Sequence, residues 1–382
     1  MRIVHICLAC FYVDRMAYQE NIITKYHSKD HEVMIVTSDY AFDSSGKRIK
    51  KEKNEYLNEY GILVKVLPRS HRYGFYSKYN DFDHLYKTLC TFQPDVIFCH
   101  GGQFVALKDV IRYCKKNNQV KLFIDQHGDY YNTPVNTKRQ RWGQYWIYGY
   151  WMRKAAPYTK KFWGVTPWRC QYLNDVYKIP KNKIDLLIMG GDDDKIHIEN
   201  CENIRKEIRD LHAISQNDFL IVTGGKIDET KRIDVLMEAV KNLNIANVKL
   251  LVFGQPSKEM ASTIEAFSID DHIRHIGWIS SEKVYDYFLA SDLAVFPGTH
   301  SVLWEQACAC GVPGIFKDWE GMHHVDVGGN ALFLKESSIE EIKKALIEVI
   351  DNKEKYEKMK EIAMASRNIF SYKAIAERAI SE

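Results

Sequence analysis

Glu305 opens the helix-like part of the stretch SVLWEQACACGVPGIF (301–316), just before an apolar run, a glycine, a Val-Pro and a second apolar run. A carboxylate there can accept two hydroxyl protons, and a helix N-terminus favours its negative charge. The plainer reading is a glutamate that only caps the helix. Two cations, Lys226 and Lys231, follow the pair Gly224-Gly225. Cations beside glycine-rich backbone N–H groups suit a phosphate, although KIDETKR taken alone reads as a solvated loop. His100 (in CHGG) and His127 (in DQHGD) each end an apolar run. An imidazole can donate or accept at neutral pH, whereas the plain alternative is a satisfied strand-end histidine. Asp125 and Asp129 flank His127, and either could orient it or meet hydroxyls. Gln19, Glu20 and Asn21 bring polar groups to a helix start, where hydroxyl binding competes with plain capping. The run GGDDDK (190–195) invites a divalent-metal reading through Asp-x-Asp.

Positioning these residues is the work of short apolar runs. RIVHICLA from residue 2, HEVMIVTS (31–38), GILVKVLP (61–68), PDVIFCHGG (94–102), VKLFIDQHGD (120–129) and KKFWGVTP (160–167) read as buried parallel strands with helical segments between most of them. The first such helix is expected over about 18–28. A second series holds FLIVTGGK (219–226), VKLLVFGQP (248–256), IRHIGWIS (273–280), LAVFPG (293–298) and VPGIF. KRIDVLMEAVKNL, between its first two members, reads as an amphipathic helix. Strand and helix in alternation predict an α/β protein with two Rossmann-like domains in series and a boundary near 190–200. Ligands in such sheets sit at the carboxyl ends of the strands, where the glycine-rich segments fall. Two sheets would place the site in the cleft between them.

Over 219–316 the segments VTGGKIDETKRIDVLMEAV, LLVFGQP, IRHIGWIS, ASDLAVFPG and WEQACACGVPGIF occur in the order seen in GT-B glycosyltransferases of the retaining, family-4-like type. The resemblance covers nearly the whole chain, with FSYKAIAERAISE (370–382) similar to the closing helix that crosses back onto the N-terminal domain. It implies an acceptor domain over 1–190, a nucleotide-sugar domain over 191–365 and a crossing helix over 366–382. By the same resemblance Glu305 accepts hydrogen bonds from the donor ribose. Lys226 and Lys231 stabilise the leaving diphosphate, and Lys226 stands where the family usually has arginine. His127 contacts the donor sugar near the reacting centre. Gly225, Gly254, Gly298, Thr299, His300, Ser301 and Val302 border the donor, and Trp278 and Ile279 lie where the base is read. Gln19, Glu20, Asn21, His100 and Asp129 are left for the acceptor. The family's first glutamate, eight residues before Glu305, is replaced by Pro297, so Thr299 or His300 would have to serve the sugar. GGDDDK falls at the interdomain connection, with Gly190 leaving room for the donor, so no metal and no cofactor is expected.

The totals agree with this reading. The chain has 382 residues, 46% hydrophobic and 27% charged, which suggests two well-buried domains. A net charge of +3 gives no argument for nucleic acid. Nine cysteines show only one CxxC, Cys7 with Cys10, and read as reduced thiols of a cytosolic protein. Neither a secretion signal nor an 18-residue apolar span is expected. Between Tyr130 and Asn174 there is no acidic residue, while Lys138, Arg139, Arg141, Arg153, Lys154, Lys160, Lys161 and Arg169 alternate with Trp and Tyr. That pattern fits either an anionic membrane surface or a helix with buried aromatics and solvated cations. The expected activity is transfer of a sugar from a UDP- or GDP-linked donor to a glycan or lipid-linked hydroxyl, in surface polysaccharide synthesis at the inner face of the plasma membrane. The alternatives are a sugar-nucleotide epimerase or hydrolase of the same fold, which needs no acceptor, and a non-catalytic partner subunit, which needs no nucleotide.

Overall fold

The structure is a computed structural model, and it describes residues 1–42, 48–70, 80–267 and 270–381. Contacts divide the chain into one unit of Met1–Ile188 with Ile375–Glu382 and another of Met189–Ala374. Each unit is built on its own sheet.

In the first unit the strand order is Ile184–Leu186, Thr159–Gly164, Lys121–Gln126, Val96–Cys99, Arg2–Cys7, Glu32–Ser38, Leu63–Leu67 and Glu55–Leu57. All neighbours pair in parallel except the last two, which are antiparallel. The strands RIVHIC and VIFC are apolar nearly throughout because helices cover both faces of such a sheet. The strand order reverses on either side of Arg2–Cys7, which pairs with both Glu32–Ser38 and Val96–Cys99. At such a switch point the chain leaves adjacent strands in opposite directions and opens a crevice at their carboxyl ends.

The second unit has six parallel strands in the order Ile273–His275, Val248–Phe253, Phe219–Gly224, Leu293–Phe296, Gly314–Lys317 and Ala331–Leu334. Here the switch falls between Phe219–Gly224 and Leu293–Phe296. The helix Ile233–Leu243 turns Ile233, Leu236, Met237 and Val240 into a core shared with Leu250, Val252, Val295 and Ile315. Burying each such side chain stabilises the fold by roughly 1.5–3 kcal/mol.

The strands expected from the apolar runs are present, and the first helix runs over Gln19–His27. Glu55–Leu57, Ile184–Leu186 and Ala331–Leu334, three or four residues each, and the hairpin of Tyr40–Phe42 with Arg48–Lys50 lie outside those expectations. Runs this short sit at sheet edges or in side ribbons, where pairing rather than apolar patterning decides their structure. The basic aromatic segment is not one regular helix. It passes from Lys138–Arg141 through a π-helical stretch, Trp142–Tyr148, into Gly149–Ala155.

Candidate functional site

At the switch point of the second unit, Gly224 ends its strand and Gly225 turns with φ +107. Gly254, which ends the neighbouring strand, has φ +121, and a Cβ there would meet the Gly225 carbonyl oxygen at 1.8 Å. The two strand ends therefore approach as only glycine allows. Gly254 also donates its N–H to Gly277 O and accepts from His275. Beyond it, Trp278 is 72% exposed and Ile279 half-buried.

The loop Pro297–Val302 then returns against Thr230-Lys231. A Cβ on Gly298 would lie 2.3 Å from Thr230 O and 2.4 Å from Lys231 Cα, so this glycine permits approach of the chain's own backbone. Thr299 N donates to Thr230 O, and Lys231 Nζ donates to the carbonyls of Thr299 (2.8 Å) and His300 (3.1 Å). Lys231 is thus the anchor of the loop, and burial lowers its pKa, with Asp228 acting the other way. Lys226, in contrast, is 77% exposed and pairs with Asp228 at 3.2 Å.

Ser301 accepts from Trp304 N, and Val302 caps the helix Leu303–Ala309. Glu305 lies in its first turn, as the sequence suggests, but is fully buried. Its Oε1 accepts from His300 Nε2 and His324 Nε2, both at 2.8 Å, while its Oε2 is buried with no hydrogen-bond partner among the described residues. Burial alone would raise its pKa. The two imidazoles overcome this and hold the carboxyl well below the usual carboxylate range. The expectation of two free carboxylate oxygens is therefore revised, since one is already filled. His324 went unnoticed in the sequence, where His323-His324 follows a glycine-containing loop with no periodic signal.

GGDDDK lies within the second unit. Gly191 bridges to Ser371, Asp192 N donates to Tyr285 Oη, and Asp193 accepts from Lys373 N. Gly190 precedes these anchored residues.

In the first unit, His100 stands one step beyond the strand Val96–Cys99, beside Asp125 near the end of the neighbouring strand Lys121–Gln126. His100 Nδ1 lies 3.0 Å from Asp125 Oδ2, and His127 Nε2 lies 3.2 Å from the same oxygen. Burial opposes charge on His127, but Asp125 outweighs it and raises the pKa, helped by Glu20 and opposed by Arg169. Asp125 sits well below its usual range, since His127 and His100 outweigh its burial. Asp129 has both oxygens engaged. One takes the backbone of Tyr131 and Asn132, and the other takes Arg169 Nε at 3.1 Å. Gln19, Glu20 and Asn21 are all buried, and both amide atoms of Gln19 lack a hydrogen-bond partner among the described residues. A cavity of about 970 Å³ is lined by Arg2, Glu32, Leu63, Thr88 and Phe92, toward the amino ends of the strands and away from these residues.

Two triads, His100–Asp125–His127 and His300–Glu305–His324, each bring two imidazole nitrogens and a carboxylate oxygen within 4.8 Å. The N···O contacts in both are of hydrogen-bond length, so a divalent ion would have to displace their protons.

The two doubly wound parallel sheets with glycine-lined strand ends define a GT-B fold, the architecture of one large class of glycosyltransferases. The chain matches two family models, Glycosyltransferase Family 4 over residues 18–194 and Glycosyl transferases group 1 over 204–365. It belongs to the group 1 glycosyltransferases and is a transferase. No curated protein matches it in sequence. Among solved structures it is similar to a glycosyltransferase from Rickettsia africae ESF-5 (TM-score 0.69, 15% identity, 99% of this chain and 96% of that one). It is also similar to Anabaena Alr3699/HepE in complex with UDP (TM-score 0.72, 14% identity, 99% and 98%). A third similar structure is WaaG, a glycosyltransferase involved in lipopolysaccharide biosynthesis (TM-score 0.64, 14% identity, 99% and 98%).

Proposed function

We propose that this glycosyltransferase takes a nucleotide-sugar donor on its second unit and transfers the sugar, with retention, to a hydroxyl of a glycan or lipid-linked acceptor. The observation that carries the reading is Glu305 Oε2, an ionised, buried carboxylate oxygen without a partner at the switch point. A buried charge left this way is costly unless a donor completes it, and a ribose hydroxyl is such a donor. The UDP bound by the Anabaena protein supports a nucleotide as the ligand class.

Lys226, exposed beside the Gly225 turn and paired with Asp228, exchanges that partner for the diphosphate, while Lys231 shapes the loop beneath it. As the bond from the anomeric carbon to the diphosphate oxygen breaks, Lys226 balances the charge developing on that oxygen. The acceptor hydroxyl forms its bond to the same face and gives its proton to the departing phosphate. His127 contributes a hydrogen bond to the sugar, and Gln19, with its unpartnered amide, binds acceptor hydroxyls. The reaction needs no metal in this scheme. Surface polysaccharide synthesis on the cytoplasmic side of a membrane fits a lipid-linked acceptor and the basic aromatic segment. No helix among the described residues is long and apolar enough to cross a membrane.

Thermal melting with UDP, GDP, ADP, TDP and CMP, each with and without EDTA, tests this. A ligand at about 100 times its Kd adds roughly 2.7 kcal/mol. One nucleotide should stabilise the chain, unaffected by EDTA, and Glu305→Ala should abolish the shift. Product analysis with the matching nucleotide-sugar should then show transfer only when acceptor is present. Epimerised or hydrolysed sugar at full rate without acceptor would overturn the transfer reading.

A further inference from the structure

Five side chains of the first unit form one continuous hydrogen-bonded row. His127 Nε2 meets Asp125 Oδ2 at 3.2 Å, and Asp125 Oδ2 meets His100 Nδ1 at 3.0 Å. His100 Nε2 meets His5 Nδ1 at 3.0 Å, and His5 Nε2 meets His27 Nδ1 at 2.9 Å. The row ends where His27 Nε2 meets the backbone oxygen of Ala376, in the closing helix, at 2.7 Å. His5, His27, His100 and Asp125 are all at most 4% exposed, whereas the His127 side chain is 37% exposed. Three buried imidazoles in a core are expensive unless every nitrogen is used. Here every nitrogen of the three has a partner.

The protons in this row can be placed by counting. A carbonyl only accepts, so His27 must donate from Nε2 to Ala376. A neutral imidazole has one N–H, so His27 Nδ1 accepts, and His5 must donate to it from Nε2. His5 Nδ1 then accepts, and His100 must donate from its own Nε2. His100 has now used the single N–H of its neutral form, yet its Nδ1 still faces Asp125 at 3.0 Å. One more proton is required between those two atoms. Asp125 Oδ1 already accepts from Gly101 N at 2.7 Å, and Oδ2 also faces His127, so the site is built for a carboxylate.

We infer that His5, His27 and His100 are positioning residues for His127: ordered from the Ala376 carbonyl, they hold an imidazolium–carboxylate pair, His100–Asp125, beneath His127, whose Nε2 faces that carboxylate and whose Nδ1 is left for the ligand. The row does not conduct protons, because it ends at an atom that accepts and never donates. It sets polarity. The inference rests on the role proposed for His127 and extends it to the closing helix.

The surroundings agree. Burial pulls His5 and His27 down, with His27 at about 4, so both are neutral near pH 7. His127 faces Asp125, Glu20 and Arg169, while His27 faces His31 and His100. Cys7, Cys10 and Cys99, which the Asp125 charge reaches, have thiol pKa values raised by burial or by hydrogen bonding and stay uncharged.

The full chain labelled with 15N-histidine tests this, since ring nitrogen shifts distinguish N–H from bare nitrogen. Histidine-to-asparagine variants assign the signals. His5 and His27 should each show a single N–H on Nε2, and His100 should show two, at neutral pH. A singly protonated His100, or an Nδ1–H tautomer at His5, overturns the inference. His5→Phe should strip the acceptor from His100 Nε2–H and weaken its hold on the extra proton. His100 then keeps only the N–H it gives Asp125 and loses its charge, so the His127 titration midpoint should rise about tenfold in proton affinity, with the matching shift in the pH profile of activity. An unchanged or lowered midpoint in folded His5→Phe also overturns it. If that variant does not fold, the parent spectrum still decides. The spectrum needs neither donor nor acceptor, so failure of the transfer reading and failure of this one are separable.

Discussion

His324 and Glu305 lie 19 residues apart in the chain and 2.8 Å apart in space, Nε2 to Oε1, and His300 reaches the same oxygen at the same distance. The pair of imidazoles lets a buried carboxylate remain ionised. It also leaves only Oε2 for a ligand. His324→Ala should therefore weaken nucleotide binding without touching the nucleotide, and destabilise the fold by about 1–3 kcal/mol through the under-satisfied carboxylate. His324→Asn should recover part of both losses by restoring a donor. Calorimetric titration and melting curves check this, and equal behaviour of the two variants would count against the clamp.

The two lysines near the Gly225 turn should separate by substitution. Lys226→Ala removes an exposed side chain and should leave stability within about 0.5 kcal/mol while lowering kcat on the order of a hundredfold. Lys231→Ala removes two charge-assisted bonds to the 299–300 backbone and should cost about 1–3 kcal/mol of stability as well. Paired melting and turnover measurements distinguish them. A strong loss of stability in Lys226→Ala would reverse the assignment.

Acid should weaken the fold earlier than carboxylates alone would cause. His27 is lowered by burial to about 4, partly offset by Ala376, and burial also holds His5 well below the ordinary histidine value. Between pH about 6.5 and 4 the unfolded chain binds protons that these two residues refuse in the folded state, so stability falls as pH falls. The slope reaches about 1.4 kcal/mol per pH unit for each histidine. Glu305 and Asp125, both depressed, add stability above their unfolded values and lose it only at still lower pH. His27→Asn should flatten the fall in melting temperature between pH 6.5 and 5.

Trp142, Trp146 and Tyr150 are exposed by 45%, 61% and 44% on the segment that lacks acidic residues. If this face meets lipid, a Trp142→Ser/Trp146→Ser double variant should lose most binding to phosphatidylglycerol vesicles in a sedimentation assay, while melting within about 0.5 kcal/mol of the parent. Equal sedimentation of the two proteins would remove the membrane from the account.

Much of the fold was legible in advance. Runs such as VIFC and LAVF are apolar on both faces, as a covered parallel strand requires, and they run into His-Gly-Gly and Pro-Gly where the chain turns at a carboxyl end. Glu305, His127 and the glycine turns stood out because they break those patterns. His5 did not, because a single histidine inside RIVHIC reads as a satisfied core residue, and nothing in the neighbouring sequence marks its partners.

By itself the sequence determined two α/β units and the strand ends that carry their polar residues, since hydrophobic period and glycine position are local properties. Tertiary structure decided which of those residues meet. His27 bonds a carbonyl 349 positions away, His324 turns toward Glu305, and Lys231 is committed to the backbone of Thr299 and His300. Hydrogen-bond partners across such separations are fixed by strand order and loop packing, which leave no periodic trace in the chain.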